Sequence, residues 1–224
     1  MVGLPVGEPV DPTPARRPSR APVAGRFVSL VPIDPEAHGP GLFAASHDGS
    51  AEAARMWTYM PYGPWAGEAG MRGWLDPLPG SEDPLFFAVL DAGGEPIGMV
   101  SFLNIDPAMR HLELGHIWYA PSAQRTRANT EAAYLMLHAA FDELGHRRVE
   151  WKCDALNERS RAAAVRLGFT FEGIFRQHMV VKGRNRDTAW YAMLGDEWPS
   201  VRDALEGWLS APDPPPPLRA ARPT

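Results

Sequence analysis

The feature that most limits how this chain can fold is one uninterrupted run, residues 111–155. An apolar stretch with strand character, HLELGHIWYA, passes through the polar loop PSAQRTRANT into a helical segment, and a second strand, RRVEWKCDA, follows. Over 130–144 the residues Ala133, Leu137, Ala140, Phe141 and Leu144 share one helical face, and Gly145 stops the helix. Strand, helix and strand in direct succession tie a helix to a sheet.

The flanks supply the rest of the sheet. RFVSLVPI alternates like a strand, and 35–48 reads as a helix. MWTYMPYGPWAG, interrupted by Pro61 and Pro64, reads as a structured loop before a short helix over 68–76. LFFAVLDAGGEPIGMVSFLNI has the pattern of a hairpin turning at Gly93-Gly94, and Pro107–Arg110 turns the chain into the strand of the opening motif. After that motif come a short helix, NERSRAAAVRLG, two strands, FTFEGIFRQHMVV and DTAWYAML, joined by the turn KGRNR, and a closing helix over 196–209. The order β-α-α-β-β-β-α-β-α-β-β-α predicts an α+β domain over 25–210 around a single mixed sheet. The Pro-, Gly- and Arg-rich residues 1–24 read as a disordered arm, and APDPPPPLRAARPT, 211–224, as a disordered proline-rich tail.

Composition narrows the function classes. With 22 Lys+Arg against 27 Asp+Glu, the net charge of −5 argues against a bulk nucleic-acid binder. The lone Cys153 excludes an intrachain disulfide framework and a cysteine-based zinc site, and it fits a reducing cytoplasm. No apolar run is long enough to span a membrane. The expected setting is cytoplasmic, with no membrane, metal or direct nucleic-acid contact and with a homodimer left open.

The loop before the 130–144 helix poses the chemical question. A helix N-terminus offers free N–H groups and the positive end of a dipole, which suit phosphate. Such loops are usually glycine-rich; here Arg125, Arg127 and Asn129 stand instead. Asn tolerates left-handed φ, arginines can add forked phosphate contacts, and Asn129 or Thr130 can cap the helix. From these residues alone the segment is either a phosphate cradle or a solvated arginine loop.

The wider stretch resembles the GCN5-related N-acetyltransferase (GNAT) superfamily, in its ribosomal-protein branch. The family loop Q/R-x-x-G-x-G/A aligns with Gln124-Arg125-Thr126-Arg127-Ala128-Asn129, placing Arg127 and Asn129 in the glycine positions. The signature N-x-x-S, helix, G-F matches Asn157, Ser160, Gly168 and Phe169, and RDTAWYAMLGDEW resembles the closing strand; the likeness spans roughly 25–199.

The resemblance implies a largely antiparallel sheet in which strands 112–119 and 147–153 run parallel and splay into an acyl-CoA cleft. Acetyl-CoA would be the donor. Backbone groups of Ile117, Trp118 and Tyr119 would bond its pantetheine arm, 124–130 (Gln124, Arg125, Thr126, Arg127, Ala128, Asn129 and Thr130) its pyrophosphate, and Asn157 the arm from the opposite strand. The acceptor would be a primary amine of a small molecule or a peptide N-terminus, attacking the thioester directly. Ser160 is the candidate acid and Tyr191 a second; Ser160 could also be a plain helix hydroxyl. Glu113 is the candidate base, with alternation placing it beside Gly115, Ile117 and Tyr119 and opposite His116. His178 is the other candidate, because Met179 stands where the branch carries a glutamate. Trp57, Tyr59, Tyr62 and Trp65 form either an acceptor clamp or an aromatic mini-core, and Arg184 and Arg186 are available for an acidic group. The competing reading is a non-catalytic acyl-CoA-binding module.

Overall fold

The computed structural model describes residues 3–218. Eight strands form one sheet: β1 (Val23–Ala24), β2 (Val28–Pro32), β3 (Leu85–Asp91), β4 (Pro96–Asp106), β5 (His111–Tyr119), β6 (Arg148–Asp154), β7 (Thr170–Val181) and β8 (Arg184–Leu194). Their order is β1-β2-β3-β4-β5-β6-β8-β7. Every pairing is antiparallel except β5 with β6. That pair is linked by the crossover helix α4 (Arg127–His138), which a π-helical turn, Ala139–Glu143, extends. The α+β architecture expected above is the one observed.

A hydrophobic core occupies each face. On one face α4, α5 (Glu158–Arg166) and α6 (Trp198–Ser210) cover Leu112, Leu114, Val149, Trp151, Ala189 and Tyr191. On the other, α1 (Pro35–Ser46), α2 (Ala51–Met56) and α3 (Glu68–Leu75) pack Leu42, Trp57, Met71 and Leu75 against Phe86, Ala88, Met99 and Trp118. Glu131 of α4 is buried, yet its carboxylate is satisfied: it accepts the backbone N–H groups of Arg26, Phe27 and Val28 at 2.9, 2.6 and 2.9 Å, fixing the turn between β1 and β2.

The structure departs from the sequence reading at several boundaries. α4 begins at Arg127, so Arg127, Ala128 and Asn129 belong to its first turn and not to a loop. The polar turn shrinks to Lys182-Gly183, both at positive φ (50° and 73°), and Arg184 and Arg186 become part of β8. The arm expected to be disordered is in part a strap: the Ala15 N–H bonds Pro107 O at 2.9 Å, the Arg16 N–H bonds Leu144 O at 2.8 Å, and Val23–Ala24 join the sheet. The tail, too, is packed as far as Leu218, which lies against the main core; residues 219–224 lie outside the described range.

Candidate active site

The cleft originates in a break between the two parallel strands. β5 and β6 pair only from His111–Leu114 against Arg148–Trp151, and then diverge. At the divergence β5 bulges: His116 takes φ 52°, and the β4–β5 register shifts between Met99 and Ser101. Gly98 pairs with Tyr119 just past the bulge, and a Cβ there would lie 2.4 Å from Trp118 O, so no other residue fits unshifted. Beyond the bulge the Ala120 N–H bonds Ile97 O at 2.7 Å. Antiparallel alternation then turns the backbone groups of Trp118 towards β4 and those of Ile117 and Tyr119 towards the open side. Of the three residues expected to offer backbone bonds, Trp118 is therefore engaged. Tyr119 O is met by Gln124 Nε2 at 3.0 Å.

Two cavities open from this break, of about 1190 Å³ and about 500 Å³. Six residues border both: Met56, Tyr59, Ile117, Trp151, Asn157 and Ser160. The larger runs from this junction towards the start of α4; the smaller lies over Glu113, Lys152 and the β7–β8 hairpin.

In the larger cavity Gln124, Arg125, Thr126 and Asn129 form the wall, whereas Arg127, Ala128 and Thr130 do not. The only positive φ in the loop falls on Arg125 (60°). The two glycine places, Arg127 and Asn129, are right-handed helix, so neither needs glycine. Thr126, not Asn129 or Thr130, is the N-cap; its hydroxyl donates to Ala123 O at 2.7 Å, and no side chain caps the first turn. Those N–H groups and the helix dipole suit an anion. Asn129 Oδ1 is buried without a partner. Arg127 turns away, to the C-terminal segment.

Three more cations border this cavity: Arg55 and Arg159 are paired with Glu52, and the third is Arg166, on α5, which sequence reasoning missed. Its Nη1 donates to Thr130 Oγ1 at 2.9 Å, and it has no carboxylate partner among the described residues. Burial pulls its pKa down, with the Tyr119 phenol opposing. A half-buried guanidinium without a counter-charge favours an anion beside it.

At the junction Asn157 caps α5: its Oδ1 accepts the Ser160 N–H at 3.1 Å. Ser160 Oγ accepts Trp151 Nε1–H at 3.0 Å, so its hydroxyl hydrogen is directed to another acceptor, the Cys153 sulfur being one within reach. Cys153 is buried nearby; burial pushes its thiol up, partly opposed by a bond from Ser160. That is the setting of an inert thiol, not a nucleophile.

The smaller cavity holds a buried charge cluster. Lys152 Nζ lies 2.9 Å from Glu113 Oε2 and 2.9 Å from Glu150 Oε2, and 3.8 Å above the Trp190 ring. Asn104 Nδ2 donates to Glu113 Oε2 at 2.7 Å. Burial raises the Glu113 pKa, with Lys152 and Asn104 pulling the other way. For Glu150 burial also pushes up, but the bonds from Lys152 and Arg148 prevail and the net shift is downward. His178 stands at the exposed rim, its Nδ1 3.0 Å from Thr188 Oγ1. Arg186 lines the wall with its Nε buried and unpartnered.

The acetyltransferase (GNAT) domain model matches residues 28–170. The chain belongs to the GNAT family. Its activity is therefore acetyl transfer, with an acyl-CoA as donor. The chain is 32% identical over 175 residues to YdaF of Bacillus subtilis (strain 168), whose name describes it provisionally as a ribosomal N-acetyltransferase; the match covers 78% of this chain and 87% of that protein. A GCN5-related N-acetyltransferase from Brucella melitensis is 48% identical and superposes with a TM-score of 0.86, covering 90% of each chain. MccE, a microcin C7 self-immunity acetyltransferase solved with acetyl-CoA and AMP, is 20% identical with a TM-score of 0.64 over 76% of this chain and 93% of that one, a likeness of fold alone.

Set on this GNAT frame, several expected site residues are displaced. Trp57, Tyr62 and Trp65 border neither cavity. They form a mini-core with Trp74, Tyr62 stacking on Trp74 at 4.0 Å and Trp57 lying edge-on to Trp65 at 5.1 Å. Tyr59 alone of the four reaches the site, its hydroxyl bonding Leu156 O at 3.1 Å. Met56, Met60 and Pro61 line the smaller cavity in place of the large rings. Tyr191 borders neither cavity: it is buried in the core beneath α5, where its hydroxyl accepts Arg161 Nε–H at 3.1 Å. Arg184 is exposed on the hairpin and borders neither cavity. The bulge also swaps the alternation of β5, so that Leu114 and Tyr119 share one core and His116 joins Glu113 on the smaller cavity.

Proposed function

We propose that this GNAT enzyme transfers the acetyl group of acetyl-CoA to a primary amine of a small molecule or a peptide N-terminus, by direct attack in a ternary complex. One observation carries this reading: two cavities of different size and lining meet at Ser160, Asn157 and Ile117. The larger takes the donor, its pyrophosphate beside the first turn of α4, Arg125 and Arg166. The pantetheine arm runs along Ile117 and Tyr119 like an added strand, with Asn157 opposite. The thioester then falls at the junction and the amine enters from the smaller cavity. The name of the Bacillus subtilis relative favours the peptide acceptor. A cytoplasmic setting belongs to the same reading, in keeping with one reduced, buried cysteine.

The neutral amine attacks the thioester carbon, the C–N bond forms, and the C–S bond breaks. Glu113 takes the ammonium proton, directly or through water, and Ser160 gives its hydroxyl hydrogen to the departing thiolate. A backbone N–H at Ile117 polarises the carbonyl.

Thiol release from acetyl-CoA over a panel of amines and peptide N-termini tests the assignment. Ser160→Ala is expected to lower kcat by about 10²-fold with acetyl-CoA affinity nearly unchanged, because the hydroxyl acts in the transition state. Equal loss of donor affinity and turnover would instead make Ser160 part of the binding wall only.

A further inference from the structure

The residue in the first glycine place of the loop and the segment beyond α6 are joined. Arg127 Nη2 donates to Ala211 O at 2.6 Å and to Pro212 O at 3.3 Å, and lies 3.0 Å from the Asp213 carboxylate. The arginine side chain is 11% exposed, with the Phe27 ring 5.5 Å from its guanidinium. Further on, Trp208 Nε1 donates to Pro216 O at 2.6 Å, and Leu218 packs half-buried against the main core. Between these anchors Pro215–Leu218 border the larger cavity, beside the same loop that lines it from α4.

We propose that residues 211–218 are the outer wall of the donor site, and that Arg127 is a positioning residue holding this wall against the nucleotide end of acyl-CoA. The inference rests on reading the larger cavity as the donor site. Three observations favour a wall over a plug. With the segment in place the cavity still measures about 1190 Å³, above the roughly 300–1,000 Å³ of ordinary small-molecule sites. The segment carries Pro214, Pro215, Pro216 and Pro217 in a row, a stiff surface that loses little entropy when a ligand settles on it. It is also tied through Arg127 to the first turn of α4, where the proposed pyrophosphate site lies, so it belongs to the nucleotide end of the cavity. The chemistry of Arg127 fits this duty: its Nη2 alone meets two carbonyls and a carboxylate, contacts that a glycine in this place could not make. The departure from the glycine pattern thus gains a physical reason in the tail.

Binding of CoA and of S-acetyl-pantetheine, which lacks the nucleotide, to full-length wild type, Arg127→Met and Arg127→Lys tests the proposal. Arg127→Met is expected to weaken CoA binding by about tenfold, because both carbonyls and the carboxylate are left without their donor, and Arg127→Lys by less, because an ammonium still reaches one of them. Affinity for S-acetyl-pantetheine should be unchanged in both. Pro216→Gly with Leu218→Ser, in the wall itself, should reproduce the loss should Arg127→Met fail to fold. Unchanged CoA affinity in the folded variants overturns the wall, tighter CoA binding makes the segment a plug, and equal loss for both ligands makes Arg127 a general structural residue. Wild type that binds no CoA would sink the donor-site reading itself, a separate result.

Discussion

Glu113 shows how the surroundings of one side chain set its chemistry. It is 6% exposed and shares the Lys152 ammonium with Glu150, while Asn104 fixes its orientation. Burial drives its pKa above the ordinary carboxylate range, with the Lys152 ammonium and the Asn104 bond opposing the rise. A base must be deprotonated to act. Turnover should therefore fall as pH drops through the raised Glu113 pKa, at higher pH than a free carboxylate would give. Glu113→Gln should lower kcat by about 10²-fold and remove that acid limb from the kcat/KM profile. A variant that keeps the wild-type limb would transfer the role to His178 at the rim. The N-x-x-S signature led directly to Asn157 and Ser160. Arg166 was not legible, because nothing in VRLGF tells an exposed helix arginine from one folded back onto Thr130.

At the scale of elements, the bulge in β5 decides the site. The sequence LELGHIWYA carries no proline or turn cluster, so period-two reading runs straight through it and assigns Glu113 and Tyr119 to one face. The chain steps out of register at His116, and the faces exchange. Strands β2 to β8, the crossover helix and the hairpin were readable from periodicity; the two-residue β1 was not, and neither was the bulge, which depends on Gly98 across the ladder and on the packing of His116. That ring stacks on Tyr62 with centroids 5.6 Å apart, and its Nδ1 lies 3.2 Å from the Tyr62 hydroxyl. Burial lowers its pKa from 6.5 to about 4. The unfolded chain thus binds the proton that the folded chain refuses, and stability rises with pH across this window. Stability should be fully present above pH 6.5 and be lost progressively as pH falls towards 4, by about 3 kcal/mol at the limit. His116→Phe should flatten this slope in denaturant titrations run across the window. An unchanged slope would show that other groups govern it.

Over the whole molecule, two cores clasp one sheet, and the site sits where the sheet is interrupted. The aromatic loop after α2 looks from its composition like a substrate clamp, but its rings are consumed in sealing the second core, since a sheet face covered by three short helices needs large side chains to close it. The hairpin then reaches back over that loop: Lys182 Nζ donates to Trp57 O at 2.9 Å, fixing the roof of the smaller cavity. Parts of both terminal segments read from composition as disordered, residues 15–24 and 211–218, are drawn onto the body by backbone bonds and by Arg127, contacts that composition does not encode. In the proposed mechanism donor and acceptor sit together, with no protein nucleophile between them. Initial rates measured while acetyl-CoA and an accepted amine are varied against each other test that claim most directly. Intersecting double-reciprocal lines are expected, with no CoA released until the amine is added. Parallel lines, with CoA released in the absence of amine and an acetyl group left on Cys153, would contradict it.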